Sequence, residues 1–183
     1  MEEQLGYATF ATAIGSVGIA WGDHGLVGVW LPERDEPATR ARIVRALPRA
    51  LPLPIAEGSA AARARDGIVA LLAGADDDLA DVVLDERELD DFPRAVYALA
   101  REVRPGRTTT YGAIARALGA EPGAARAVGQ ALGRNPWPIV VPCHRVVAAS
   151  GRTGGFSAPG GVDTKLRMLE LERVHGDGTA RLF

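Results

Sequence analysis

One cysteine, Cys143, and one lysine, Lys165, are all that the 183 residues contain of either type. A single thiol excludes an internal disulfide framework and a multi-cysteine zinc site, and it makes cytoplasmic residence the expectation. No uninterrupted apolar run approaches the roughly 20 residues that a membrane-spanning helix needs. The opening Met1-Glu2-Glu3-Gln4 is acidic and no signal-type apolar segment follows it, so nothing is expected to direct the chain to a membrane. The scarcity of lysine accompanies an abundance of arginine and alanine, which reads as coding bias and carries no chemistry by itself.

The length suffices for one large domain or two small ones. A net charge of −2 hides an asymmetry along the chain. Residues 1 to 90 hold 16 acids against 8 arginines, a balance of −8, whereas residues 91 to 183 hold 7 acids against 13 basic residues, a balance of +6. A basic C-terminal half could meet a phosphate backbone, or the two halves could simply attract each other.

Short β-prone runs at 7–12, 17–21 and 26–31, separated by Gly15, Gly22, Asp23 and Gly25, predict an antiparallel meander. Helical patterns follow at 37–47 and 60–72, and Val82 to Leu84 reads as a last strand of the same sheet. Pro48, Pro52 and Pro54 predict a connector without regular structure. The run Asp76-Asp77-Asp78, with Asp81, reads as a solvated turn rather than a metal site.

From Asp90 the pattern changes to longer helices, with Asp90 or Asp91 as N-cap and Phe92, Val96, Tyr97 and Leu99 as the apolar face. The division is therefore 1–89, a small sheet with helices, and 90–183, mostly helical, in an α/β (α+β) chain. Thr108 to Thr110 can cap a helix at 111–118. A second helix follows at 123–132, with Pro122 in its first turn and Gly133 at its end. Together the two make a helix-turn-helix candidate. The second helix presents Ala124, Ala125, Ala127 and Gly129 around a single Arg126. So bare a surface cannot read base edges in a major groove, and it suits a shallow minor groove with Arg126 available to enter the duplex. On residue types alone the balance still lies with a packed internal helix whose Arg126 meets a carboxylate.

The chemistry centres on Pro142-Cys143-His144-Arg145-Val146-Val147, after the apolar segment Trp137 to Val141, which reads as a buried strand. A thiol with an ordinary pKa of about 8.5 needs a base or a positive field to react at neutral pH. His144 can serve only if the backbone turns after Pro142 or a water bridges the two groups, because neighbours on a strand face opposite ways. Glu170 and Glu172 are candidate orienters of the imidazole. An inert buried thiol and a satisfied core histidine are the plain alternatives.

These residues resemble the O6-alkylguanine-DNA alkyltransferase family over roughly residues 90 to 173. The likeness rests on the helix-turn-helix with Arg126, on Asn135-Pro136, on the full 142–147 signature, on Gly154 to Gly161 and on Leu169 to Glu172. It implies a ribonuclease H-like N-terminal domain with a supporting role, and a C-terminal domain that accepts an alkyl group. Cys143 would take that group from O6 of a guanine flipped out of alkylated double-stranded DNA, irreversibly and once per protein. By the same likeness Glu172 orients His144, which draws the thiol proton through a water, and Tyr111 supplies a hydrogen bond or proton to N3 of the leaving guanine.

Further roles come with the resemblance. Asn135 braces the turn and Arg126 fills the gap left by the base. Carbonyls of Cys143 and Val146 accept from the exocyclic amine, Leu132 walls the pocket, and the Gly155-Phe156-Ser157 loop covers the alkyl group. The loop 156–161 is a couple of residues longer than the Tyr-Ser-Gly-Gly form of the family, so the size of adduct is not implied. His24 and His175 are read as structural; no metal and no cofactor is expected, and the chain is expected to act as a monomer. A lesion-binding alkyltransferase-like protein without catalysis is the alternative function. A Cys-His-Glu hydrolase and an ordinary helix-turn-helix regulator are the remaining readings of the residues.

Overall fold

The computed structural model describes residues 3–121, 123–149 and 159–173. Three strands, β1 (Gly6–Thr12), β2 (Gly15–Gly22) and β3 (Gly25–Trp30), form the expected antiparallel meander. Gly25, with φ +124°, is required at its turn, since a Cβ there would stand 2.6 Å from the Val83 carbonyl oxygen.

Helix α1 (Glu36–Ala46) is capped by Asp35, whose carboxylate accepts from the Ala38 N–H at 2.8 Å. It seals one face of the sheet by packing Ile43 with Tyr7 and Ala20. Helix α2 (Ala60–Leu72), capped by Ser59, seals the other face with Ile68 and Leu71 against Val17 and Ile19.

Two expectations for this half are corrected. The proline-rich connector contains a two-residue strand, β4 (Leu51–Pro52), parallel to β1 and giving the order β3-β2-β1-β4. It is tolerated because the donors are Leu51 to Leu5 (2.9 Å) and Leu53 to Tyr7 (3.2 Å), so the N–H missing from Pro52 falls between them, on an edge strand. The segment 82–84 makes only a single bridge, Leu26 to Leu84, instead of a strand. Further along the same edge of β3, the Val29 N–H is already committed to the Pro136 carbonyl at 2.8 Å.

The acidic run is a turn, as expected, but it is not merely solvated. Arg63 grips Asp77 (2.9 Å) and Asp81 (2.6 Å), while Asp77 also accepts from the N–H of Leu79, which is buried at a φ of +56°.

The second half contains α3 (Asp91–Arg101), a short strand β5 (Thr109–Thr110), α4 (Tyr111–Ala117), α5 (Ala125–Gly133), β6 (Val146–Val147) parallel to β5, and α6 (Gly161–Arg173). Asp90 occupies the N-cap of α3 without a side-chain bond. Val96, Tyr97 and Ala100 are buried on α3, whereas Phe92 is 38% exposed because the core ends one turn short of it. Helix α5 starts two residues later than expected, since Gly123 takes a φ of +100° that no helix includes; Pro122 lies outside the described residues.

Trp137 to Val141 is a turn and not a strand. Pro136 and Pro138 withhold ladder donors, Ile139 takes a φ of +79°, and the Val141 N–H returns to the Trp137 carbonyl at 2.8 Å. The Trp137 ring lies edge-on to Tyr97 at 6.1 Å, and its indole N–H donates to the Leu26 carbonyl at 2.7 Å. One apolar cluster therefore runs from the sheet through Val96 and Val128 to Met168.

Trp137 thus joins the sheet edge to the segment that carries Cys143. Trp137→Phe should lower the unfolding free energy by about 1–3 kcal/mol through loss of this buried bond, read as a fall in the urea midpoint at unchanged slope. A midpoint equal to that of the unsubstituted chain would refute the coupling.

Candidate active site

After Pro142 the backbone tightens into a 3₁₀ turn over Cys143–Arg145 before entering β6. This turn frees Cys143 and His144 from the strand geometry that would set them on opposite faces. Both are buried, at 8% and 1% exposure, as is Arg145 at 1%.

Behind the turn, α6 supplies Glu172, while Glu170 on the same helix points to solvent and is not the orienter. The Glu172 carboxylate meets His144 Nε2 at 2.8 Å, and Arg145 donates to it from Nε (3.0 and 3.1 Å) and Nη2 (2.8 Å). Arg145 Nη1 donates to the Val103 carbonyl at 2.6 Å, tying the group to the end of the α3 segment.

The charges in this cluster follow from burial and pairing. Burial alone would raise the pKa of Glu172, but His144 and Arg145 more than offset it and hold the carboxyl at about 2. Burial pushes the imidazole of His144 down, against the pull of Glu172, so at neutral pH the ring is neutral. A neutral ring beside a carboxylate gives its N–H to that carboxylate, which assigns the proton to Nε2 and leaves Nδ1 with a lone pair. That Nδ1 is buried and has no hydrogen-bond partner among the described residues.

Burial also raises the pKa of the Cys143 thiol, opposed first by Asn135 and then by Lys165. The resting sulfur is therefore protonated, and its activation must be coupled to a nearby proton acceptor.

Asn135 fixes the turn at both ends. Its Nδ2 donates to the Val141 carbonyl (2.8 Å) and its Oδ1 accepts from the Trp137 N–H (2.9 Å), bracketing the left-handed Ile139. Tyr111 opens α4, whose cap is the Thr110 hydroxyl accepting from Ala113 at 3.1 Å. Burial and the neighbouring Cys143 raise the Tyr111 pKa, so the phenol keeps its proton.

Cys143, Tyr111, Gly129, Leu132 and Asn135 line one cavity of about 360 Å³. On α5 only Val128, Ala131 and Leu132 are buried. Arg126 is exposed and makes no ion pair among the described residues, so the packed internal helix favoured by residue types is not what forms. Ala124, Ala125 and Ala127 are half-buried beside it and do not line the cavity. Gly155, Phe156, Ser157 and His175 lie outside the described residues, and His24 is exposed in the turn between β2 and β3. Among the described residues no group of three or more His, Cys, Asp or Glu side chains could hold a metal ion, and no helix is long and apolar enough to cross a membrane.

Two participants escape the sequence reading. Lys165 is fully buried; its Nζ donates to the Val146 carbonyl at 2.7 Å and lies 6.0 Å from the Tyr111 ring centroid. Burial lowers its pKa to about 8, against the pull of Cys143. The carbonyl expected to meet a substrate amine thus already has one of its two lone pairs engaged. The signal for Lys165 was its spacing, seven residues and two helical turns before Glu172, on the same face as the buried Met168. Arg145 stood in the recognised signature, yet its role as the second partner of Glu172 needed the fold.

Comparisons with known proteins bear on this arrangement. The profile of the 6-O-methylguanine DNA methyltransferase DNA-binding domain matches residues 91–174. A methylated-DNA–protein-cysteine methyltransferase of Mycolicibacterium paratuberculosis is 48% identical over 103 residues, 56% of this chain and 60% of that protein. The chain thus spans about three-fifths of the length of that mycobacterial relative. The enzyme of the same name from Methanothermobacter thermautotrophicus is 33% identical over 162 residues, 88% of this chain and 82% of the relative. A crystal structure of Mycobacterium tuberculosis OGT in complex with DNA superposes with a TM-score of 0.72 at 35% identity, covering 92% of each chain.

The shared carboxylate gives the site a pH signature. Because the Glu172 pKa is lower in the folded chain than in the unfolded one, its contribution to stability is complete above about pH 4.5 and is lost as pH falls toward 2. Glu172→Gln leaves Arg145 buried without a counter-charge and should cost about 3–5 kcal/mol, with a flatter stability profile between pH 5 and 2. Urea unfolding across that range measures both; an unchanged acid limb would contradict the assignment.

Proposed function

Since the chain belongs to the 6-O-methylguanine DNA methyltransferase family, we propose that it repairs O6-alkylguanine in double-stranded DNA by moving the alkyl group onto Cys143, once per molecule. The observation that carries this reading is a lone thiol on a cavity wall, followed directly by a histidine whose tautomer a buried carboxylate fixes, the basic nitrogen having no partner among the described residues.

In this mechanism the Nδ1 lone pair of His144 receives the thiol proton through a water, and Glu172 stabilises the imidazolium that forms. The thiolate attacks the alkyl carbon; the S–C bond forms as the C–O6 bond breaks, and the electron pair passes into the guanine ring. Tyr111, still protonated, donates toward N3 and neutralises the leaving base. The buried Lys165 cation favours the thiolate electrostatically. The product is a thioether with no electrophilic carbonyl, so water cannot regenerate the thiol. O4-alkylthymine fits the same chemistry.

For recognition, α4 and α5 form a helix-turn-helix that enters the minor groove, where the small side chains of Ala124, Ala125, Ala127 and Gly129 allow close approach. Arg126 replaces the extruded base in the stack. Leu132 lines the base pocket, with Phe156 and Ser157 assigned to its cover. The division into 1–89 and 90–183 assigns support to the first part, and a cytoplasmic monomer is the working form. The lesion-binding alternative would require a thiol unable to react.

Mixing the protein with a duplex carrying O6-methylguanine should add one methyl group, located on Cys143 by mass spectrometry of the digested chain. Tight binding without transfer would establish the alkyltransferase-like alternative, and more repaired base than protein would establish a hydrolase. In a separate measurement, Arg126→Ala should slow duplex repair at least tenfold while reaction with free O6-benzylguanine changes by less than about twofold, because unstacking a base costs a few kcal/mol. Equal losses on the two substrates would place Arg126 in bond cleavage.

A further inference from the structure

The cavity that holds Cys143 does not end at the sulfur. It continues past Pro138 and Pro136 to the edge strand β3 and to α1, where Trp30, Arg42 and Leu47 form its far wall. Trp30 and Leu47 pack on the cluster under α1, whereas Cys143 belongs to the main core, so the cavity bridges two separate apolar clusters. The far wall has a shaped floor: the Trp30 ring lies over Gly28, where a Cβ would stand 2.6 Å from it. Arg42 and Arg134 both line the cavity, and no acidic side chain among the described residues does. Arg42 is anchored by one bond, Nη1 to Glu33 at 2.8 Å, which leaves Nε and Nη2 without a hydrogen bond among the described residues.

Displacement at carbon requires sulfur, the attacked carbon and O6 to lie nearly in line, so the rest of a longer substituent must leave that line sideways. A methyl group needs none of this space. We infer that the Trp30–Arg42 end of the cavity is a subsite for O6 substituents of several carbons that end in an anionic group, with the chain on the prolines and Trp30 and the terminus on Arg42. This inference rests on the alkyl-transfer reading above and names a substrate class within it. The chemistry is unchanged: the carbon attached to O6 moves to Cys143, and the anionic end is carried along intact.

The test compares single-turnover transfer from three duplexes, carrying O6-methylguanine, O6-butylguanine and O6-(3-carboxypropyl)guanine, by the unsubstituted chain, Arg42→Gln and Arg42→Lys. Arg42→Gln should lower the carboxypropyl-to-butyl rate ratio about fivefold, the size expected of a half-exposed ion pair. The methyl rate should stay within about twofold, and Arg42→Lys should keep most of the ratio. A ratio that Arg42→Gln does not change overturns the inference, as does an equal slowing on all three duplexes, which would make Arg42 a phosphate contact. Failure of the unsubstituted chain to transfer even the methyl group would overturn the alkyl-transfer reading itself, so the two failures are told apart.

Discussion

A single carboxylate shared by a buried guanidinium and a buried imidazole organises the reactive end of this molecule. Glu172 cannot be neutral beside Arg145, and Arg145 cannot be desolvated without Glu172. With that pair settled, the imidazole of His144 has only one sensible orientation, and its second nitrogen has no hydrogen-bond partner among the described residues. The nitrogen turned away from Glu172 is the one able to accept a proton.

The site depends equally on how the two halves of the chain lock together. The edge of β3 gives its Val29 N–H to Pro136, and the Leu26 carbonyl takes the indole N–H of Trp137. These two bonds hold the start of the turn that Asn135 then brackets, with a β-branched residue, Ile139, kept in a left-handed conformation that costs of order 1–3 kcal/mol. The sheet thereby sets the position of the segment leading to Cys143.

Much of this could be read from residue types because the signals were local. The meander, the cap at Thr110, and the pairing of a thiol with a histidine after proline each involve a few neighbouring residues. What could not be read depends on contacts between distant parts. Trp137 to Val141 has a strand's composition, yet its two flanking prolines and the pull of Leu26 make it a turn. The segment 82–84 looks like a strand, but the edge it needs is occupied further along by Pro136. The exposure of Arg126 follows from which side of α5 the core claims, a question residue types left open and in fact leaned against. Lys165 was dismissed because rarity was explained by coding bias, although helical spacing aligned it with Glu172.

A group that the proposed transfer would spend only once must survive until it is needed. Oxidation by peroxide or disulfide exchange follows thiolate character and access. Cys143 is 8% exposed and its ionisation is suppressed by burial, so at rest it offers oxidants neither an anion nor an open approach. In the proposed reaction, the same packing that obliges the sulfur to borrow a base would therefore act as its preservative through a long wait.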